Sequence, residues 1–302
     1  MSQTLNIAFY NLDNLFDPFE ASHTLDYDFT PQGRKKWGTY RYQQKLYKIS
    51  RTIQEIHQDQ ELLFCGIAEV ETRQVISDLL EQAPIQDLDL GFVHFDSPDT
   101  RGIDVGLIYN KALFELRKTF THTVKLKTPQ EVVYSRDILE IHGKIEDSSV
   151  RVFVNHWPSH RRRLNKNLRT QASFVLEQAI SQNLQPEELI VVMGDFNDNP
   201  DSEYLKFLEK LNFKNTSAGL LTSDQGTTKH LRNWLLFDQI YLSSGFYQQG
   251  DWQFDSSRIF NEDFLIDPTG RNKKQPFRTF IGKNYIGGQS DHFPILTKIK
   301  KT

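Results

Sequence analysis

Carboxylate, amide and imidazole side chains fall in this chain where apolar runs stop. Asn11 follows "NIAFY", Glu69 sits near the end of "LLFCGIAEV", Asn155 and His156 close "VRVFVNH", and Asp195 and Asn197 close "LIVVMGDFN". Asp238 lies inside "WLLFDQIYLS", and Asp291 with His292 precedes "PILTKIK". One such residue would be ordinary turn chemistry, because Asp and Asn hydrogen-bond their own backbone. Repetition on successive strands implies convergence on one rim. Oxygen donors without thiolates suit a hard cation such as Mg²⁺ or Mn²⁺, which keeps several waters and takes one or two protein carboxylates plus substrate phosphate oxygens. Two histidines add groups that donate protons to a phosphate or stabilise charge on it.

The elements that must position these residues are short apolar or alternating runs, read as strands over 6–12, 62–70, 91–95, 105–110, 138–145, 150–158, 189–197, 234–243 and 294–300. Amphipathic helical patterns lie between them at 43–58, 73–82, 168–182 and 202–211. Helices are too few for a regular βαβ barrel. The distribution predicts an α+β fold, two packed mainly antiparallel or mixed sheets with helices outside, forming one domain over 1–302. Residues 17–42 and 255–289 read as long loops, which in compact domains are often functional.

Composition bounds the rest. The 302 residues carry a formal net charge of −3, with a sequence pI near 6.3, so any polyanion site must be local rather than global. The single cysteine, Cys65, lies in an apolar run and reads as a buried thiol in a reducing compartment. No secretory signal pattern and no apolar run of bilayer-spanning length is visible. A cytoplasmic monomer is the expectation.

The segments "NIAFYNLDNLF", "GIAEVE", "RGIDVGLIYN", "VNHWPSH", "VVMGDFND", "FDQIYLS" and "SDHFPI", in this order over residues 6 to about 296, resemble the endonuclease/exonuclease/phosphatase superfamily with its deoxyribonuclease I-like fold. The wording is most similar to a bacterial branch of nuclease-related proteins. The resemblance implies a four-layer α/β/β/α sandwich and a Mg²⁺- or Mn²⁺-dependent hydrolase of phosphate esters. It makes Glu69 a metal ligand, with Asn11 organising the metal site and Asp291 completing it. Glu71, beside Glu69, is expected to face solvent. His292 would contact the scissile phosphoryl oxygen, and Asp238 would accept a hydrogen bond from it and favour the imidazolium. His156 and Ser159 would bind phosphate opposite the metal, with Asp104 as the partner of His156; a turn acid or a partner of Arg101 are the other readings of Asp104.

Period-2 alternation puts Asp195 and Asn197 on one side of their strand, one to hold or deprotonate the attacking water and the other to hydrogen-bond the phosphate. Asp195 reads as the base, with ligation of a second cation as its alternative. Asp198 and Asn199 are expected to close the turn and cap the next helix. Arg161, Arg162, Arg163, Lys166 and Arg169 follow His156 closely enough to grip neighbouring phosphates. Arg278 with Phe280 and Tyr285, and Trp37 in the first long loop, would combine charge with stacking. Three functions remain: a nuclease or phosphodiesterase, a phosphomonoesterase or phospholipase acting on a lipid or sugar phosphate, and a non-catalytic scaffold. Occupation of every motif position by a competent residue weighs against the last.

Overall fold

The computed structural model describes residues 3–20, 24–160, 163–182, 184–185, 187–248, 250–269 and 274–302. Twelve strands make two six-stranded sheets: β1 (Thr4–Leu15), β2 (Leu62–Val70), β3 (Leu90–His94), β4 (Asp104–Asn110), β5 (Glu115–His122), β6 (Ile138–Ile145), β7 (Ser148–His156), β8 (Leu189–Asp195), β9 (Lys214–Asn215), β10 (Asp238–Leu242), β11 (Trp252–Ile259) and β12 (Ile295–Lys301). The first sheet runs β11-β12-β1-β2-β4-β3 and the second β9-β10-β8-β7-β6-β5. Each has one parallel pair at its centre, β1 with β2 and β7 with β8, and antiparallel neighbours elsewhere. Both sheets are mixed, and the deoxyribonuclease I-like expectation holds.

Side-chain alternation assigns the layers. On β8, Leu189, Val191 and Met193 point into the core shared by the two sheets, while Ile190 and Val192 join a second cluster with Ala172, Leu176, Ala179 and Ile180 of helix α3 (Arg163–Ser181). Burial on both faces explains why the central strands read as continuous apolar runs. Helices α1 (Thr39–Asp59) and α2 (Arg73–Leu80) belong to the first sheet, α1 burying Leu46, Ile49, Ile53 and Ile56 on one face. The Thr72 side chain caps α2 by accepting from Val75 N.

Three departures from the sequence reading have physical causes. The run 234–243 divides into a hairpin strand, Asn233–Leu235, and β10, so Asp238 opens its strand instead of lying inside it. The helix expected over 202–211 contracts to α4 (Lys206–Lys210); Asp198 pairs with Arg169 and His160, and Asn199 accepts from Leu236 N, so neither caps it. The 255–289 segment begins inside β11, which pairs with β12.

Candidate active site

The two central parallel pairs bring their C-terminal ends together across the sandwich. Asn11 of β1 donates from Nδ2 to Asp195 Oδ2 of β8 at 2.9 Å, a contact across 184 residues of sequence. The other Asp195 oxygen accepts from Asn197 N at 2.9 Å. Parallel register sets His156 beside Asp195, and antiparallel register sets Asp238 opposite it. His292 completes the group: Nδ1 lies 2.6 Å from Asp238 Oδ2 and Nε2 lies 3.9 Å from Asp195 Oδ2. The backbone beneath is held by the Ser290 hydroxyl, which donates to Asn11 O at 2.6 Å and accepts from His292 N at 3.0 Å.

Glu69 sits where the β2 register shifts between Ala68 and Val70, with φ at +62°. Its Oε2 accepts from Asn14 N at 2.8 Å, and its Oε1 is 3.7 Å from His156 Nε2 and 3.8 Å from Arg101. Asp13, Asn14 and Asn197 also have left-handed backbone. Four non-glycine residues in that sparsely populated region around one rim mark a surface constrained by its surroundings.

The charges are set by burial and by partners. For His292, burial alone would lower the pKa, but Asp238, then Asp195 and Asp291, outweigh it and hold the imidazole protonated well above its usual range. His156 goes the other way, pushed well below its usual range by burial and by Arg136, Arg101 and His292. Burial lifts Asp195 to about 6, against His292 and the Asn11 and Asn197 hydrogen bonds. Asp291 is lifted to about 7 by burial, then by Asp13, with Glu69 adding to the rise and His292 and Arg278 opposing it. Asp13 and Glu69 thus both bear on Asp291 with like charge, and the buried Lys45 ammonium, which feels all three carboxylates, donates to Asp13 O. Carboxylate oxygens from Glu69 and Asp291, with no thiolate, suit a hard divalent cation, while Asn11 is engaged through Nδ2 with Asp195 and through Oδ1 with Asp13 N.

The remaining predicted residues divide. Asp104 does not pair with His156: its Oδ2 accepts from Ser97 N at 3.1 Å, while its Oδ1 and His156 Nδ1 have no hydrogen-bond partner. Ser159 is half-buried, its carbonyl accepting from Asn165. Asn155 is structural, donating to Met193 O and accepting from Trp157 Nε1. Asn197 lies beyond the strand end in left-handed backbone, so alternation does not govern it; its Nδ2 donates to Trp157 O at 2.9 Å. Arg161 and Arg162 lie outside the described residues. Arg169 is buried against Asp198 rather than turned to a ligand. Arg278 is close enough to Asp291 to oppose its rise in pKa, but Phe280 packs on Phe29 and Trp37, and Trp37 is fully buried, so those rings serve the core. Glu71 is also buried and accepts from Asp17 N, contrary to its expected solvent role.

Residues the motifs did not single out complete the rim. Asp13 accepts from Thr279 N, and Arg101 donates to Asn14 Oδ1 at 3.2 Å. Buried Arg136 bridges Asp99 to Trp157 O at 3.0 and 2.9 Å. The tandem "DN" at 13–14 and the "RD" at 136–137 were the available signals.

This fold and this site define a metal-dependent phosphoric ester hydrolase. The chain belongs to the Endonuclease/Exonuclease/phosphatase family, whose model matches residues 6–301. Among solved structures it is similar to an endonuclease/exonuclease/phosphatase family protein of Bacteroides thetaiotaomicron, at TM-score 0.62 and 17% identity over 100% of this chain and 99% of that one. It is also similar to D. rerio TDP2 in complex with a single-strand DNA product, at TM-score 0.61 and 14% identity over 98% of each chain. A mannosyl-6-phosphatase of Bacteroides thetaiotaomicron matches at TM-score 0.61 and 16% identity, over 98% of this chain and 99% of that one. At these identities the likeness concerns the fold. No curated protein matches the sequence at a significant level.

Proposed function

We propose that the chain is a Mg²⁺- or Mn²⁺-dependent phosphodiesterase acting on nucleic-acid backbones by in-line attack of water. The carrying observation is the buried His292–Asp238 pair aimed at Asp195, with 2.6 Å on one side of the imidazole and 3.9 Å on the other. Asp195 Oδ2 takes the proton of the attacking water; its carboxyl, lifted to about 6, is matched to that task near neutral pH. The protonated His292 Nε2 donates a hydrogen bond to a phosphoryl oxygen as negative charge grows there, while the bond from phosphorus to the leaving oxygen breaks opposite the water and that oxygen takes a proton from solvent. His156, neutral, offers Nε2 as a further donor on the Glu69 side of the cleft. Asn11 fixes Asp195, and Asn197 holds the Trp157 carbonyl, so both act by keeping reacting groups in register. Glu69 and Asp291, with Asn11 and Asp13 beside them, would hold the cation, which when bound supplies Lewis-acid neutralisation of phosphate charge. Arg101, beside Glu69, and Arg278, beside Asp291, are placed to grip flanking phosphates. No helix among the described residues is long and apolar enough to cross a membrane.

The test is hydrolysis of bis-p-nitrophenyl phosphate, single-stranded DNA, p-nitrophenyl phosphate and mannose 6-phosphate with Mg²⁺, with Mn²⁺ and with chelator. Diester cleavage that needs a metal and disappears in Asp195→Asn and His292→Ala is expected. Turnover confined to the monoesters would move the assignment to a phosphatase, and turnover indifferent to chelator would refute the mechanism.

A further inference from the structure

A second group of metal-ligating side chains lies on the first sheet, apart from the cleft. His94 ends β3 and Asp104 begins β4; Asp96 stands in the loop that joins them. One ligand atom from each lies within 4.8 Å of the others. The His94 side chain is 0% exposed, yet neither ring nitrogen has a hydrogen-bond partner, and the inner oxygen of buried Asp104 has none either. Leaving such groups buried and unpaired is costly. His94 can offer one of its two ring nitrogens, and that nitrogen together with the Asp104 carboxylate points to a ligand that they share.

We propose that His94, Asp96 and Asp104 form a binding site for a divalent cation of the zinc class, separate from the all-oxygen set around Glu69 and Asp291. One imidazole with two carboxylates is a borderline donor set, which favours Zn²⁺ over Mg²⁺. Geometry permits it. Two ligands about 2.1 Å from a tetrahedral centre stand roughly 3.4 Å apart, and His94 Nδ1 is 3.8 Å from Asp96 Oδ1. Rotation of Asp96, whose side chain is 79% exposed, closes that gap without moving the core. The cation would tie the ends of β3 and β4 together. That loop carries Asp99, which anchors Arg136, and Arg101, which reaches Asn14 beside Glu69.

Chelator-stripped wild type, Asp96→Asn, His94→Gln and Glu69→Gln are each titrated with Zn²⁺ by calorimetry, and zinc is counted by elemental analysis after desalting. One equivalent is expected to vanish, or to weaken at least tenfold, in Asp96→Asn and His94→Gln and to persist in Glu69→Gln. Asp96 is exposed, so its variant folds whatever happens at His94. Equal zinc content and affinity in wild type and Asp96→Asn would overturn the proposal. So would a wild type holding no zinc beyond what Glu69→Gln loses.

Discussion

His292 Nδ1 and Asp238 Oδ2 are 2.6 Å apart in the interior of the sandwich, although 54 residues separate them in sequence. The pair forms because Asp238 opens β10 opposite Asp195 while His292 precedes β12 of the other sheet. A buried carboxylate thereby fixes both the tilt and the charge of an imidazole whose other nitrogen faces the reaction centre.

Asp238→Asn keeps the shape of that contact and removes its charge. The burial that Asp238 outweighs would then dominate, and the His292 pKa would fall. The alkaline limb of the kcat profile should move to lower pH, and kcat at pH 8 should drop by ~10²–10⁴-fold, the span of one acid–base group. An alkaline limb unchanged in the variant would mean that protonated His292 does not stabilise the phosphoryl charge.

Glu69→Gln tests the cation site separately. The substituted side chain can still accept from Asn14 N through its amide oxygen, as the Glu69 carboxylate does, so Tm should hold within a few degrees. The loss of one negative charge from the Asp13–Glu69–Asp291 group should raise the Mg²⁺ concentration for half-maximal activity by roughly 10–100-fold, as for other changes around metal ligands. Unchanged Mg²⁺ dependence would place the cation elsewhere.

Much of this site was legible because apolar strands break off into polar residues, and Asn11, Glu69, Asp195 and His292 all stand at such breaks. Partners set by tertiary register were not. Arg136 has only the short "RD" at 136–137 to mark it; its meaning lies in Asp99 and Trp157 O, reached across the fold. Edge strand β5 shows mostly exposed or half-exposed residues on both faces, so its pattern falls below what alternation can detect. The Asp104–His156 pairing failed as an expectation because Asp104 faces the Ser97 amide and His94 on its own sheet. Asn197 failed the same-side rule because its left-handed backbone, φ +52°, ends the strand before it.

Glu71 links burial to pH. Burial, aided by Asp17 and Asp26, lifts its carboxyl from the ordinary 4.5 to about 8. Between those values the folded state holds a proton that the unfolded state has released, so stability falls as pH rises through that window. Glu71→Gln removes the ionisation. At pH 8.5 the variant should be more stable than wild type by about 2 kcal/mol, discounted from the full 1.36 kcal/mol per unit, and at pH 5 the two should converge. Urea midpoints at both pH values measure the difference; a constant gap across pH would contradict it.

Gly194→Ala probes how the central parallel pair positions the chemistry. Gly194 lies beside Asn155 in the β7–β8 register, one residue before the His156–Asp195 pair. A Cβ there would stand 2.4 Å from the Asn155 carbonyl oxygen, which is backbone and cannot rotate away. The strands must spread, at a cost of about 1–3 kcal/mol for overpacking. Spreading also shifts Trp157, whose N donates to Asp195 O and whose carbonyl receives Arg136 and Asn197. Activity should therefore fall at least tenfold under conditions where the variant is still folded, because sub-ångström misplacement of reacting groups is costly. Gly219→Ala is the control: the residue is exposed, nothing lies within 4 Å of its added Cβ, and its stability should stay within about 0.5 kcal/mol of wild type. If urea unfolding and kcat of Gly194→Ala both match wild type, the close approach of β7 and β8 does not hold His156 and Asp195 in register.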